Sequence, residues 1–137
     1  MKDPAKLDTS LLQGRRFQLW HYIVSHGQML IRSCIDDRET TNVDLWFTTV
    51  RYVEAPRHLG EIVLDEPTNE ERERLRARTD KFYDKHQTTV IVSGTNRFFV
   101  VSNTVWIEEN KLEIFQTPYE PSPGVREAII RHPGSDG

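Results

Sequence analysis

The chain has 137 residues, of which 36% are hydrophobic and 28% charged, and its formal net charge is −3. That length points to one domain, large enough to bury a core without covalent staples. The acidic balance argues against nucleic acid as a partner, because such binders carry a basic stripe. Cys34 is the single cysteine, so no disulfide can form within the chain, and a reducing cytoplasm is the expected setting. The opening MKDPAKLDTSLL has no apolar leader, and no apolar run approaches the roughly 18–20 residues of a membrane helix, so neither a signal peptide nor a membrane span is expected.

Residues 1–10 are polar and aperiodic and read as a flexible arm. From Phe17 to Glu54 the chain reads as three strands with large apolar side chains on both faces, the pattern of a sheet covered on both sides. The first strand is expected over about 15–24 and the second over about 28–35, with Gly27 left-handed in a three-residue turn. That register sets His21 opposite Ile31 and Ile23 opposite Met29. Phe17, Leu19, His21 and Ile23 then face the core, and Trp20 and Tyr22 face the other way. The third strand, about 43–54, switches apolar parity near Thr48 and Thr49, as a β-bulge would. Residues 55–60 read as a loop and 61–64 as a short strand.

Thr68 followed three residues later by Glu71 is a capping box, and it predicts a helix over about 69–85. Its apolar stripe (Leu75, Phe82, Tyr83) is narrow, so the helix lies on the surface of the sheet. Strands follow at 88–93 and 97–108, the latter bending at Ser102 and Asn103, and then a short segment at 112–117. Pro118, Pro121 and Pro123 open a tail, 118–137, expected to be largely flexible apart from a helical turn or two after Val125. The fold class is α+β: a single domain at 11–117 with a strongly curved, mainly antiparallel sheet of about 7–8 strands, the surface helix inserted between two β-rich halves.

Chemistry is poorly signalled. Five histidines are scattered without ligand spacing, so no metal or cofactor is expected. Cys34 lies in a strand, away from any helix N-terminus that would lower its pKa, and reads as inert. The arginines 72, 74, 76 and 78 are interleaved with glutamates and read as a solvated helix face. Phosphate loops and nucleophile elbows are absent. Arg97, Phe98 and Phe99 lack the rest of an RNA-stacking signature and read as packing residues.

The leading expectation is a non-enzymatic cytoplasmic protein-binding domain of the adaptor, inhibitor or toxin-neutralising immunity type. Its contacts are expected at Trp20, Tyr22 and Arg32, steered by the acidic loop Asp36, Asp37 and Glu39 toward another protein, a basic one in the electrostatic reading. Neither nucleic acid nor membrane is expected as a partner. The alternative is a small-molecule site in the curved sheet lined by His21, His26 and Trp46, with a hydrolase-like use of His21 as one form of it.

Overall fold

The two-faced apolar stretch becomes β1 (Phe17–Ile23), β2 (Gln28–Ser33), β3 (Asn42–Thr48) and β4 (Tyr52–Glu54) in the computed structural model, which describes residues 7–119 and 124–130. β5 (His58–Gly60) and β6 (Val63–Asp65) precede the helix α1 (Asn69–Arg78). β7 (Gln87–Ser93), β8 (Asn96–Ser102) and β9 (Thr104–Asn110) follow, then a four-residue α2 (Val125–Ala128) and β10 (Ile129–Ile130). The strands form two antiparallel sheets, one of six in the order β10-β9-β3-β2-β1-β5 and one of four in the order β4-β8-β7-β6. The mainly antiparallel α+β class is therefore correct, but ten strands in two sheets replace the single sheet of seven or eight.

The extra strands arise where single runs of chain change sheets. β3 passes into β4, β5 into β6, and β8 into β9 with only Asn103 between them. Followed from neighbour to neighbour, the pairings return to their origin. β1 pairs with β2, β2 with β3 and β3 with β9; the chain continues into β8, which pairs with β7, then β6, and β5 closes onto β1. The parity switch at Thr48–Thr49 marks one such crossing, where Thr49 takes a left-handed φ of 50°. Gly27 sits against that corner: a Cβ there would lie 3.0 Å from the Thr49 Cα, and its carbonyl accepts from the Val50 amide at 2.9 Å. Its own φ is 64°, the left-handed position the turn was expected to need.

The core lies between the sheets. Met29, Ile31, Val43, Leu45 and Phe47 come from one side and Ile91 and Val100 from the other, all fully buried. Leu12 joins them, and so does Leu7 from the segment expected to be a loose arm, of which residues 1–6 lie outside the described residues. Each sheet is also covered outside. α1 seats Leu75 with Tyr83 against Val90, Phe99 and Val101 of the four-stranded sheet. Residues 111–119 cover the six-stranded sheet, as detailed below.

Three local expectations change. The β1–β2 register slips at Trp20, so His21 pairs with Leu30, Tyr22 with Met29 and Ile23 with Gln28. His21 is thereby moved off the core face, because a bulge reverses the parity of every residue beyond it. The helix stops at Arg78, where Thr79 leaves helical geometry with a ψ of −145° while its hydroxyl donates to the Leu75 carbonyl, and Tyr83–Lys85 form a separate 3-10 turn. Finally, within the stretch expected to be a flexible tail, β10 pairs with β9 and Val125 is 6% exposed.

The capping box is present in full. The Glu71 amide donates to the Thr68 hydroxyl at 3.1 Å, and the Glu71 carboxylate accepts from the Thr68 amide at 2.8 Å. Glu71 also receives the Arg97 fork, two hydrogen bonds of 2.8 Å each, and Arg97 reaches Asp65 at 2.8 Å. The guanidinium holds the Glu71 carboxyl down at about 2. With Leu75 as the only buried residue of α1, these polar ties fix the helix on the sheet.

Thr68→Ala should cost about 1 kcal/mol in chemical denaturation, the usual cost of losing an N-cap side chain. A second outcome concerns acid. Glu71 falls from an ordinary 4.5 to about 2 on folding, so its stabilisation is complete above 4.5 and is lost as pH drops toward 2. Arg97→Gln should therefore lower the denaturation midpoint at about pH 6 and flatten its decline between roughly pH 4.5 and 2; a wild-type acid profile in that variant would refute the pairing.

Candidate functional site

On the outer face of the six-stranded sheet, two rows of side chains run across the strands. One row is Gln18, Arg32, Asp44 and Glu108; the next is His21, Leu30, Trp46 and Trp106. Residues two apart on a strand share a face, so the rows lie side by side. Arg32 and Asp44 are both 0% exposed. The Arg32 guanidinium donates to both Asp44 oxygens, at 2.7 and 3.0 Å, and the Asn110 amide donates to Oδ2 at 2.7 Å. Burial pushes the Asp44 carboxyl upward while the guanidinium and the amide pull it back. Both groups donate, in three hydrogen bonds, which is the surrounding of an ionised carboxylate.

This pair governs the cover above it. Asn42 donates to the Asn110 side chain and to the Leu112 carbonyl, both at 2.9 Å. The Leu112 amide returns a bond to Asn110 at 3.2 Å. The Ile114 carbonyl accepts from the Trp20 indole at 3.0 Å and, at the limit of hydrogen-bonding distance, from Arg32 at 3.5 Å. Next to it, the Gln116 amide donates to the Glu113 carbonyl at 2.9 Å, and the Glu113 amide donates to the Gln116 side chain at 3.0 Å. The result is a turn closed on itself and held from below, with Ile114 and Phe115 at its two central positions. Ile114 is 56% exposed and Phe115 87%. Turn centres usually carry Gly, Pro, Asn or Asp, so two large apolar residues there are out of pattern.

Beside the turn lies an open cleft of about 510 Å3 lined by Trp20, His21, Tyr22, Arg57, Phe115 and Thr117. The bulge in β1 puts Trp20 and His21 there together. Tyr119 sits against both His21 and Trp46, with ring centroids 5.7 and 5.8 Å away, and its hydroxyl is 2.5 Å from His21 Nδ1. Arg57 is tied by its backbone, the Leu19 amide donating to its carbonyl at 2.7 Å. Its guanidinium is exposed, and among the described residues no carboxylate pairs with it.

Of the residues expected to bind, Trp20 and Tyr22 line this cleft, and Tyr22 is 38% exposed. Arg32 does not reach the surface; it is the buried half of the ion pair. The acidic loop sits elsewhere, around a smaller cavity of about 170 Å3 at the start of β1, with Arg16 and Arg38 in the same lining. Asp36 accepts from the Arg38 and Glu39 amides, which hold its carboxyl low, and Glu39 pairs with Arg15 at 3.1 Å, leaving Asp37 simply exposed. Only Asp36 closes the loop on itself; Glu39 ties it to Arg15. Of the alternative set, His21 and Trp46 meet through Tyr119, whereas His26 stays exposed in the β1–β2 turn against Ser25. Sequence reading missed Ile114, Phe115, Arg57 and Tyr119. The only signal was the break in alternation at Ile114-Phe115 in a segment read as a strand.

The chemistry available is limited. Among the described residues, no three His, Cys, Asp or Glu side chains are grouped to hold a metal ion. The cleft lining has no cysteine, serine or carboxylate beside His21, and its hydroxyls are those of Tyr22 and Thr117. Cys34 lies in the smaller cavity, half-buried, and burial raises its thiol pKa, which disfavours the thiolate. No helix among the described residues is long and apolar enough to cross a membrane. No protein-family model, curated protein or solved structure matches the chain.

Removing one partner of a buried pair strands the other. Asp44→Asn should lower stability by about 3–5 kcal/mol, and the Arg32→Met, Asp44→Leu double variant should regain most of it. Urea denaturation decides: a loss under about 1 kcal/mol in the single variant, the scale of an exposed pair, would show that the site is hydrated.

Proposed function

We propose that this chain is a protein-binding domain that docks through the Ile114–Phe115 turn and the adjoining cleft. The observation that carries the reading is the locked turn. Holding two large apolar side chains in solvent, at 56% and 87% exposure, on a backbone fixed by bonds from within and below is preorganisation for burial against something else. Trp20, Tyr22 and Arg57 beside it are the residue types that anchor interfaces. An adaptor, an inhibitor or a toxin-neutralising protein would use such a surface. The closed circuit of pairings supports treating the two sheets as one strongly curved sheet with its apolar side chains inside, which leaves the outer face for binding. The lone half-buried thiol supports a cytoplasmic setting.

A small-molecule ligand is the second reading, and the cleft volume of about 510 Å3 favours it. The two readings part at Phe115, whose exposed ring is surplus to a small ligand. Affinity purification with the wild type should recover a protein that Phe115→Asp loses at an unchanged thermal midpoint. With that partner purified, Phe115→Ala should cost about 2 kcal/mol or more, mostly as faster dissociation. Recovery of the same proteins by both baits, or concentration-dependent self-association of the wild type through Phe115, overturns the reading.

A further inference from the structure

Resting on that reading, we infer that the partner presents an acidic side chain flanked by apolar or aromatic residues, and that Arg57 receives its carboxylate. The lining of the cleft carries this. Many arginines elsewhere are matched: Arg32 to Asp44, Arg74 to Glu54, Arg76 to Asp84 and Glu73, and Arg97 to Glu71 and Asp65. Arg16 and Arg38 are exposed and without an ion pair among the described residues, but they share their cavity with Asp36 and Glu39. The cleft has no such acid. Arg57 is exposed, unmatched among the described residues, and set among Trp20, Tyr22 and Phe115, with neither Asp nor Glu in the lining. Glu113 belongs to the neighbouring turn but does not line the cleft.

The fixed groups fit a carboxylate better than a cation. A basic partner would bring its charge against Arg57 with no acid in the cleft to offset the repulsion. A carboxylate gains a guanidinium, which binds it in two parallel bonds. His21 adds a second polar group to the lining, its Nδ1 held 2.5 Å from the Tyr119 hydroxyl and its Nε2 not engaged by that contact. The aromatic side chains beside Arg57 suit apolar neighbours of the acid, and covering the open cleft with them would remove water and strengthen the pairing. This differs from the basic partner expected from the acidic loop, two of whose acids are already engaged, Asp36 by the Arg38 and Glu39 amides and Glu39 by Arg15.

The test uses three capped tripeptides, Phe-Glu-Phe, Phe-Gln-Phe and Phe-Lys-Phe, titrated into the isotopically labelled full chain and followed by NMR. Free 3-phenylpropionate serves as the small-carboxylate probe. The Glu peptide should bind about three- to tenfold tighter than the Gln peptide, shifting the Trp20 indole and Tyr22 resonances, and the Lys peptide should be weakest. Arg57→Gln, at an exposed position, should keep the thermal midpoint and erase the preference. Equal binding of Glu and Gln peptides, preference for Lys, absence of binding by any peptide, or a preference surviving Arg57→Gln overturns the inference. So does 3-phenylpropionate binding as tightly as the Glu peptide, since the occupant is then a small carboxylate. Failure here leaves the Phe115 experiment untouched; failure there, with Glu selectivity intact, removes the protein-docking reading and keeps an anion-selective cleft.

Discussion

A guanidinium and a carboxylate with no access to water sit on the outer face of the six-stranded sheet, and much of the rest is arranged around that fact. Burying two charges costs several kcal/mol each unless every donor and acceptor is matched. Arg32 and Asp44 match one another in a two-point contact, Asn110 fills a further Asp44 site, and the Ile114 carbonyl lies at the remaining side of Arg32. The cover is thus part of the solvation of the pair. The segment 111–119 cannot lie elsewhere on the sheet without exposing or orphaning these groups. What is fixed for stability also fixes the position of the turn that presents Ile114 and Phe115.

A second constraint is the way the strands change sheets. A chain crossing from one sheet to the other must turn sharply, and each crossing has its own local cause. Thr49 adopts a left-handed backbone, Gly60 has a φ of 71°, and Asn103 separates two otherwise continuous strands. Because the crossings hold both sheets against a common interior, the outer faces remain for other purposes. α1 takes one with a single buried leucine and a set of ion pairs. The 111–119 segment takes the other with a polar network. The cleft is what this second cover leaves open at the β1 edge.

Much of the fold was legible from periodicity. Apolar side chains on both faces of 17–54 announced a doubly covered sheet, and Thr68 with Glu71 announced the start of the helix. The parity switch at Thr48–Thr49 read as a bulge within one strand, whereas the chain there leaves one sheet for the other. The site was less legible, for physical reasons. A bulge leaves no mark on an alternating apolar run, so the register that carries His21 to the outer face could not be read from Phe17–Ile23 alone. The sequence leaves Asp44 a choice of partner between Arg32 and Arg51, and it does not show that the Arg32 pair is buried, because the cover lies some eighty residues away. Ile114 and Phe115 fall in a short segment with none of the usual turn residues, since the bonds that fix the turn come from the Gln116 backbone and side chain and from Trp20 in place of Gly, Pro, Asn or Asp.

The energetics of the turn set a lower limit on what it must meet. Burying a large apolar side chain is worth roughly 1.5–3 kcal/mol, so Ile114 and Phe115 together offer about 3–6 kcal/mol. Association costs about 4–15 kcal/mol in lost freedom before any affinity appears. The turn by itself therefore cannot hold a partner. Micromolar binding, about −8 kcal/mol, requires the cleft as well, with Trp20 and Tyr22 buried and Arg57 matched. A partner that satisfies those terms must cover the turn and the cleft in one continuous surface of roughly 800 Å2 on this chain. The fixed backbone of 113–116 reduces the ordering cost on one side of that balance, which is the physical reason to hold apolar side chains rigidly in water.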